Sequence, residues 1–278
     1  MRLLAWTIAA LACLCIEVRA ETLSLEPYVE GRGLLTARVD VEGRPALLLF
    51  DTGAGVTLTT PSFAQQIGCT PFGSFTGFRM RGDRLDMQKC GARDIRVGSL
   101  NAQREIAVLD LGALLGAGAP PIDGIMGLDV FDGRLITLAL ADREIWLDER
   151  PGRGWREGVA RFQREAGGAG LSIFVRAEAR GNALWLLLDS GSVGSFAYLS
   201  PGALEQLGEA TDQPVQLSIS GAGEHEMEAQ RVEALIYDGV LGERFLRQFD
   251  IAVDFRTSRI WWRPHQARRR GVRVGAHD

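Results

Sequence analysis

The sequence predicts a β-rich protein made of two homologous lobes related by a pseudo-two-fold axis. Three observations predict it. The 278 residues include 34 glycines and 10 prolines but few long helical patterns, which implies many turns joining short strands. Alternating strands lead through tight turns into wholly apolar strands. A long segment also repeats itself at a fixed spacing, and such self-similarity marks repeated structural units.

The N-terminus comes first. Met1-Arg2 precedes an apolar run from Leu3 to Ile16, followed by Val18-Arg19-Ala20 before Glu21. A positive start, a short apolar core and small residues at −3 and −1 describe a secretory signal over residues 1–20. The alternative is an uncleaved membrane anchor. No later stretch approaches transmembrane length, so the mature chain is expected to be exported, periplasmic or secreted, with no stable membrane span. Cleavage removes Cys13 and Cys15 and leaves Cys69 and Cys90. An oxidising compartment makes that pair a disulfide candidate, with two buried free thiols as the alternative.

The repeat begins at Ala37. Residues 37–53 end in Leu47-Leu48-Leu49-Phe50-Asp51-Thr52-Gly53, and residues 175–191 end in Trp185-Leu186-Leu187-Leu188-Asp189-Ser190-Gly191, 138 positions later. Each copy reads as a hairpin whose second strand is buried on both faces. Thr60-Pro61 … Gly68 and Ser200-Pro201 … Gly208 then each supply a hydroxyl N-cap, a first-turn proline and a terminating glycine, which predicts one short helix per copy. A third block, Asp123-Gly124-Ile125-Met126-Gly127, matches Asp238-Gly239-Val240-Leu241-Gly242, 115 positions on. The second copy is therefore 25 residues shorter between helix and third block.

These blocks place the lobes at 21–160 and 161–266, joined through a Gly-, Arg- and Pro-rich stretch that is loosest at Gly167-Gly168-Ala169-Gly170. Arg268-Arg269-Arg270 lies in a basic tail, 267–278, read as a frayed and solvated terminus.

Composition excludes several functions. Lys+Arg 31 against Asp+Glu 35 gives a net charge of −4, so no global basic field invites nucleic acid. Three histidines and four cysteines show no metal-ligand spacing, so neither a metal site nor a cofactor is expected.

The repeated triplets carry the chemistry. Asp51 and Asp189 each end a buried strand. Thr52 or Ser190 follows, able to hydrogen-bond across to the opposite strand, and then Gly53 or Gly191 permits a sharp turn. Two such loops meeting at a two-fold axis bring the carboxylates together. Like charges that close share one proton, so one acts as base and the other as acid, and a water between them becomes the nucleophile. Asp123 and Asp238 also recur and are read as caps of the turn before each apolar-apolar-Gly strand. Trp146, Trp261 and Trp262 are read as core or lobe-interface packing, and 111–121 as a surface loop bordering the cleft.

Asp51-Thr52-Gly53-Ala54 and Asp189-Ser190-Gly191-Ser192 resemble the two active-site loops of the aspartic proteases. Ile125-Met126-Gly127 and Val240-Leu241-Gly242 resemble the strands that pass beneath those loops. The resemblance covers nearly all of 33–147 and 171–262 and is to bacterial retropepsin-like proteins, here fused as one two-lobed chain. It implies an all-β fold of two β-barrel-like lobes, an active cleft between them, hairpin flaps above it, and an extended peptide or protein substrate. A monomer would suffice for the active site. Gly221 and Gly223, in Ser220-Gly221-Ala222-Gly223, are expected at the second-lobe flap tip, and Gly77 or Gly82-Asp83 at the first. The flap tyrosine of pepsin-type enzymes is absent, since tyrosines occur only at 28, 198 and 237. The expected activity is aspartic endopeptidase. The alternative is an exported, non-catalytic peptide-binding protein that keeps the fold.

Overall fold

The computed structural model describes residues 21–116, 118–164, 170–208 and 214–266. The signal segment, Gly167-Gly168-Ala169 of the lobe junction and the basic tail lie outside the described residues. No helix among the described residues is long and apolar enough to cross a membrane.

The repeated sequence blocks form the frame. Leu35–Val41 and Arg44–Phe50 make the first hairpin, and Leu171–Ala179 and Asn182–Leu188 make the second. The apolar strand of each pairs in parallel with the short apolar-apolar-Gly strand. Phe50 lies opposite Met126 in one lobe and Leu188 opposite Leu241 in the other. Parallel neighbours on one side and an antiparallel hairpin on the other pair both edges of these strands, and their last three residues, 48–50 and 186–188, are apolar and buried on both faces. The capped helices form as their signals require. Thr60 and Ser200 accept the N–H groups of Phe63 and Ala203, and Gly208 closes the second helix at φ 61°.

Each lobe is built on an eight-stranded sheet. The first curls until Arg84–Val97 pairs back onto Leu35–Val41 through Asp40–Arg96 and Val41–Ile95. A six-stranded antiparallel sheet joins the lobes from below. It pairs Leu135–Ala139 of the first lobe with Phe249–Asp254 of the second, Leu138 lying opposite Ile251. Trp146 and Trp262 are buried on this sheet, as core packing requires of them. The chain leaves the sheet at Gly158 and joins the second-lobe sheet at Ala160.

The 25-residue difference decides the upper surface. In the first lobe Phe72–Phe78 and Arg84–Val97 form a long hairpin that reaches over to the second lobe. The second lobe has only Val215–Ile219 and Gly223–Met227 in the corresponding stretch. The tip of that shorter hairpin does not roof the cleft. A Cβ on Gly221 would sit 2.5 Å from Trp262 and 2.9 Å from the Gly158 backbone, and Ser220 Oγ accepts the Val159 N–H. The expected flap role of Gly221 and Gly223 is thus corrected. With too few residues to span the cleft, the hairpin folds down against the lobe-bridging sheet. The 111–121 stretch differs from a plain loop, since Gly112–Leu115 is a short helix whose Leu114 and Leu115 pack against the first-lobe cluster.

Cys69 and Cys90 are disulfide-bonded, with Cα atoms 5.7 Å apart. The bond fastens the end of the first helix to the strand that carries the long hairpin, and both residues are buried. Closing a loop of this length removes unfolded-state entropy worth about 3 kcal/mol. Reduction, or Cys69→Ala with Cys90→Ala, should lower the melting temperature by several degrees. Thermal melts with and without reductant, and the mass of the non-reduced protein, test this.

Candidate active site

The two Asp-hydroxyl-Gly turns meet where the parallel strands end. Each Asp backbone N–H continues the parallel ladder, Asp51 to Met126 O at 3.0 Å and Asp189 to Leu241 O at 3.1 Å. This fixes both aspartates before their side chains make any contact.

The hydroxyls then cross between lobes. Thr52 Oγ1 donates to Leu188 O at 2.9 Å and accepts the Ser190 N–H at 2.9 Å. Ser190 Oγ donates to Phe50 O at 3.4 Å and accepts the Thr52 N–H at 3.0 Å. Thr52 and Ser190 are buried, so each of these bonds satisfies a group that water cannot reach.

The glycines are required by the same closeness. A Cβ on Gly53 would lie 2.5 Å from Asp189 Cγ, and one on Gly191 would lie 2.5 Å from Asp51 Oδ2. Each turn therefore presses on the opposite carboxylate. With each turn pressed against the opposite carboxylate, Asp51 and Asp189 face one another closely enough for their charges to repel. Asp51 keeps partial access to the cleft, while Asp189 is 9% exposed. Burial pushes the Asp51 carboxyl well above its ordinary range, and the neighbouring Asp189 charge pushes it further. The Gly53 and Gly191 N–H groups act in the opposite sense.

The two carboxylates are held differently. Asp189 Oδ1 accepts the Gly191 N–H at 2.8 Å and the Ser192 N–H at 3.1 Å, and its Oδ2 accepts the Ser192 hydroxyl at 2.7 Å. The position matching Ser192 in the first lobe is Ala54, which has no hydroxyl to offer. The pseudo-symmetry therefore ends at the outer oxygens. The pattern Ser192 against Ala54 is visible in the sequence, although its consequence for hydrogen bonding is not.

Above the dyad lies the tip of the long hairpin, Arg79-Met80-Arg81-Gly82-Asp83, closed by the Gly82 N–H to Arg79 O bond. Gly82 was among the expected first-lobe tip residues, and Gly77 instead sits within the strand against Met87. The tip touches the second lobe. The Ile236 N–H donates to Met80 O at 3.0 Å, and the Met80 sulfur lies 3.3 Å from Ser192 Oγ. Met80 also packs against the second-lobe cluster of Phe174, Leu187, Tyr198 and Val240. Sequence reasoning missed Met80 and Ile236. The available signal was one apolar side chain among charged residues at a hairpin tip.

Asp123 and Asp238 brace the strands from outside the dyad. Asp123 Oδ2 accepts the Leu47 N–H at 2.8 Å, and Asp238 Oδ2 accepts the Trp185 N–H at 2.9 Å. Each carboxylate extends the parallel ladder by one bond beyond the short strand. Asp129 is a further buried carboxylate, 2% exposed. It accepts the Thr57 hydroxyl at 2.7 Å and the Thr57 N–H at 3.1 Å, behind the first active-site turn.

A two-lobed all-β fold with paired Asp-hydroxyl-Gly turns under a hairpin is the architecture of an aspartic protease. Residues 37–130 match the aspartyl protease family, and the two-lobed all-β fold agrees with the aspartic protease superfamily. The matched segment includes Asp51 and the long hairpin. A search of curated proteins found no match to the chain.

Burial raises the Asp129 carboxyl to about 6, against the pull of the Thr57 hydrogen bonds and the Arg104 charge. The folded chain then binds more protons than the unfolded chain between about pH 4 and 6, so this group's contribution to stability falls as pH rises through that window. Asp129→Asn should flatten that fall, which amounts to at most about 3 kcal/mol. Melting curves of both proteins from pH 4 to 7 decide it. Parallel curves would overturn the assignment.

Proposed function

We propose that this chain is an exported, retropepsin-like aspartic endopeptidase whose two lobes, 21–160 and 161–266, supply one catalytic aspartate each. The observation that carries the reading is the contact between the Asp51 and Asp189 carboxylates, held in place by reciprocal hydroxyl bonds beneath a hairpin. The match to the aspartyl protease family and the Cys69–Cys90 bond support protease chemistry and an oxidising compartment respectively.

The hydrogen bonding suggests distinct roles. Asp189 receives three donors and serves as the base, while Asp51, with its raised carboxyl, holds the shared proton. Asp189 takes a proton from water as the water oxygen attacks the scissile carbonyl carbon. Asp51 gives its proton to the carbonyl oxygen, producing a neutral gem-diol. Collapse returns a hydroxyl proton to Asp51 and passes the proton on Asp189 to the leaving nitrogen. Thr52, Gly53, Ser190 and Gly191 position the pair, and no covalent intermediate or cofactor enters the scheme.

The peptide would lie extended beneath the hairpin, bonding to it as an added strand. Met80 now occupies the side of the cleft formed by the second-lobe cluster, so substrate entry requires the Ile236–Met80 contact to open.

Asp51→Asn and Asp189→Asn should each reduce peptide hydrolysis by roughly 10³-fold or more while the fold persists. Initial rates on a cleaved peptide, with circular dichroism as control, test this, and near wild-type turnover in either variant would overturn the dyad. Activity should also be highest at acid to mildly acidic pH and fall as both carboxylates ionise. A pH–rate profile checks the sign, and a peptide mimic with a hydroxyl at the scissile position should inhibit.

A further inference from the structure

The two ends of the cleft carry different charges. Beyond Ser192 the chain turns at Val193-Gly194, and the Ser192 carbonyl accepts the Glu243 N–H at 2.9 Å, which starts the helix Glu243–Leu246 against the active-site loop. The first-lobe loop around Gly33 covers this turn. A Cβ on Gly33 would lie 3.1 Å from the Val193 side chain, and the Gly33 carbonyl accepts from Arg247 Nη2 at 3.0 Å. These surfaces enclose a groove of about 510 Å³, whose charged lining is Glu30, Arg32, Arg143, Glu243, Arg244 and Arg247.

The anions there are already engaged. Buried Glu243 pairs with Arg247, and Glu30 lies 4.0 Å from Arg143. Arg244 stacks over Phe196 at 4.2 Å and donates to Gly194 O at 3.3 Å, with Glu228 3.8 Å away and its own side chain 44% exposed. Arg32 has no carboxylate partner among the described residues. Arg81 of the hairpin tip has none either, and its charge and that of Arg244 both act on Tyr198, whose hydroxyl donates to the Val193 carbonyl. Cations from the first-lobe loop and the second-lobe helix thus line the groove beside this turn, and Arg81 stands on the overhanging hairpin tip next to Met80, whose sulfur reaches Ser192.

The pseudo-symmetric end is arranged differently among the described residues, and its Arg104 is bonded to the Asp129 and Asp132 carbonyls. Gly55 corresponds to Val193, Gly170 to Arg32 and Asp129 to Arg244. The Leu171 N–H closes directly onto Gly55 O at 2.6 Å, and Asp129 is buried under Thr57.

We propose that the Val193–Gly194 end of the cleft is a subsite for an acidic side chain, so that the protein selects extended peptides carrying Glu or Asp on that side of the scissile bond. The proposal rests on the endopeptidase reading and adds its substrate class. Guanidinium groups pair with carboxylates through two parallel hydrogen bonds. A charge difference between cleft ends also fixes the direction in which a peptide binds, because the reverse orientation would leave its acidic group away from the arginines.

The test uses peptides sharing one cleavable centre, with a single Glu, Gln or Lys moved through the flanking positions. At one position on one side, kcat/KM for Glu should exceed that for Lys by about tenfold, since each exposed pair contributes modestly. The preference should shrink in about 0.5 M salt. Arg32→Glu with Arg81→Glu should reverse it, and the milder Arg244→Gln should reduce it. The same peptides are also titrated against Asp51→Asn protein by fluorescence anisotropy, which reads binding without turnover. Cleavage with no Glu preference at any position, or a preference unmoved by the arginine variants, overturns the proposal and leaves the endopeptidase reading standing. Glu-selective binding without hydrolysis by the wild-type protein overturns the endopeptidase reading and keeps the subsite. Absence of selective binding and of selective cleavage overturns the proposal.

Discussion

The reciprocal bonds of Thr52 and Ser190 are the constraint on which the cleft depends. Each hydroxyl accepts the backbone N–H of the opposite turn and donates to a carbonyl of the opposite strand. Neither lobe can satisfy these groups alone, and an unsatisfied buried group costs about 1–3 kcal/mol. The lobes are therefore locked in register at the point where the aspartates emerge. Each glycine follows from the same lock, because the turns come too close for a Cβ.

Below this point the molecule is rigid for a second reason. The lobe-bridging sheet pairs buried strands of both lobes, with Ile136, Leu138, Ile251 and Val253 all at 0–1% exposure. Above it, the long hairpin meets the second lobe through the Ile236–Met80 backbone bond, the packing of the Met80 side chain and the close approach of the Gly82 backbone to the Ile236 side chain. The hairpin is anchored at its base by the disulfide and its own ladder. Motion that admits a peptide is thus cheapest at the tip, and the dyad geometry beneath need not change when the tip lifts.

Symmetry builds the dyad, and departures from symmetry give it direction. Ser192 stands where the first lobe has Ala54, so the two carboxylates have unequal donors. A single long hairpin overhangs from one side. Arg32 and Arg244 stand where the other end has Gly170 and Asp129. A fully symmetric site would present two identical ends, whereas here the two ends differ in their donors and in their charged side chains.

The sequence alone determined the frame. The apolar strands ending at Asp51 and Asp189, the capped helices and the apolar-apolar-Gly strands were legible because local propensity and burial pattern agree at each of them. The dyad was legible for the same reason, being written twice in one chain. The disulfide pairing followed once only two cysteines remained. What tertiary structure decided was where turns of similar composition point. Ser220-Gly221-Ala222-Gly223 and Arg79-Met80-Arg81-Gly82-Asp83 both read as hairpin tips, yet the first folds down against Trp262 and the second reaches across the cleft. The choice depends on hairpin length measured against the distance to be spanned, and on which apolar surface lies within reach. The Ser192 hydrogen bond, the burial of Asp129 and the gathering of arginines from three distant segments likewise arise from contacts between residues far apart in the chain, and no local pattern encodes them.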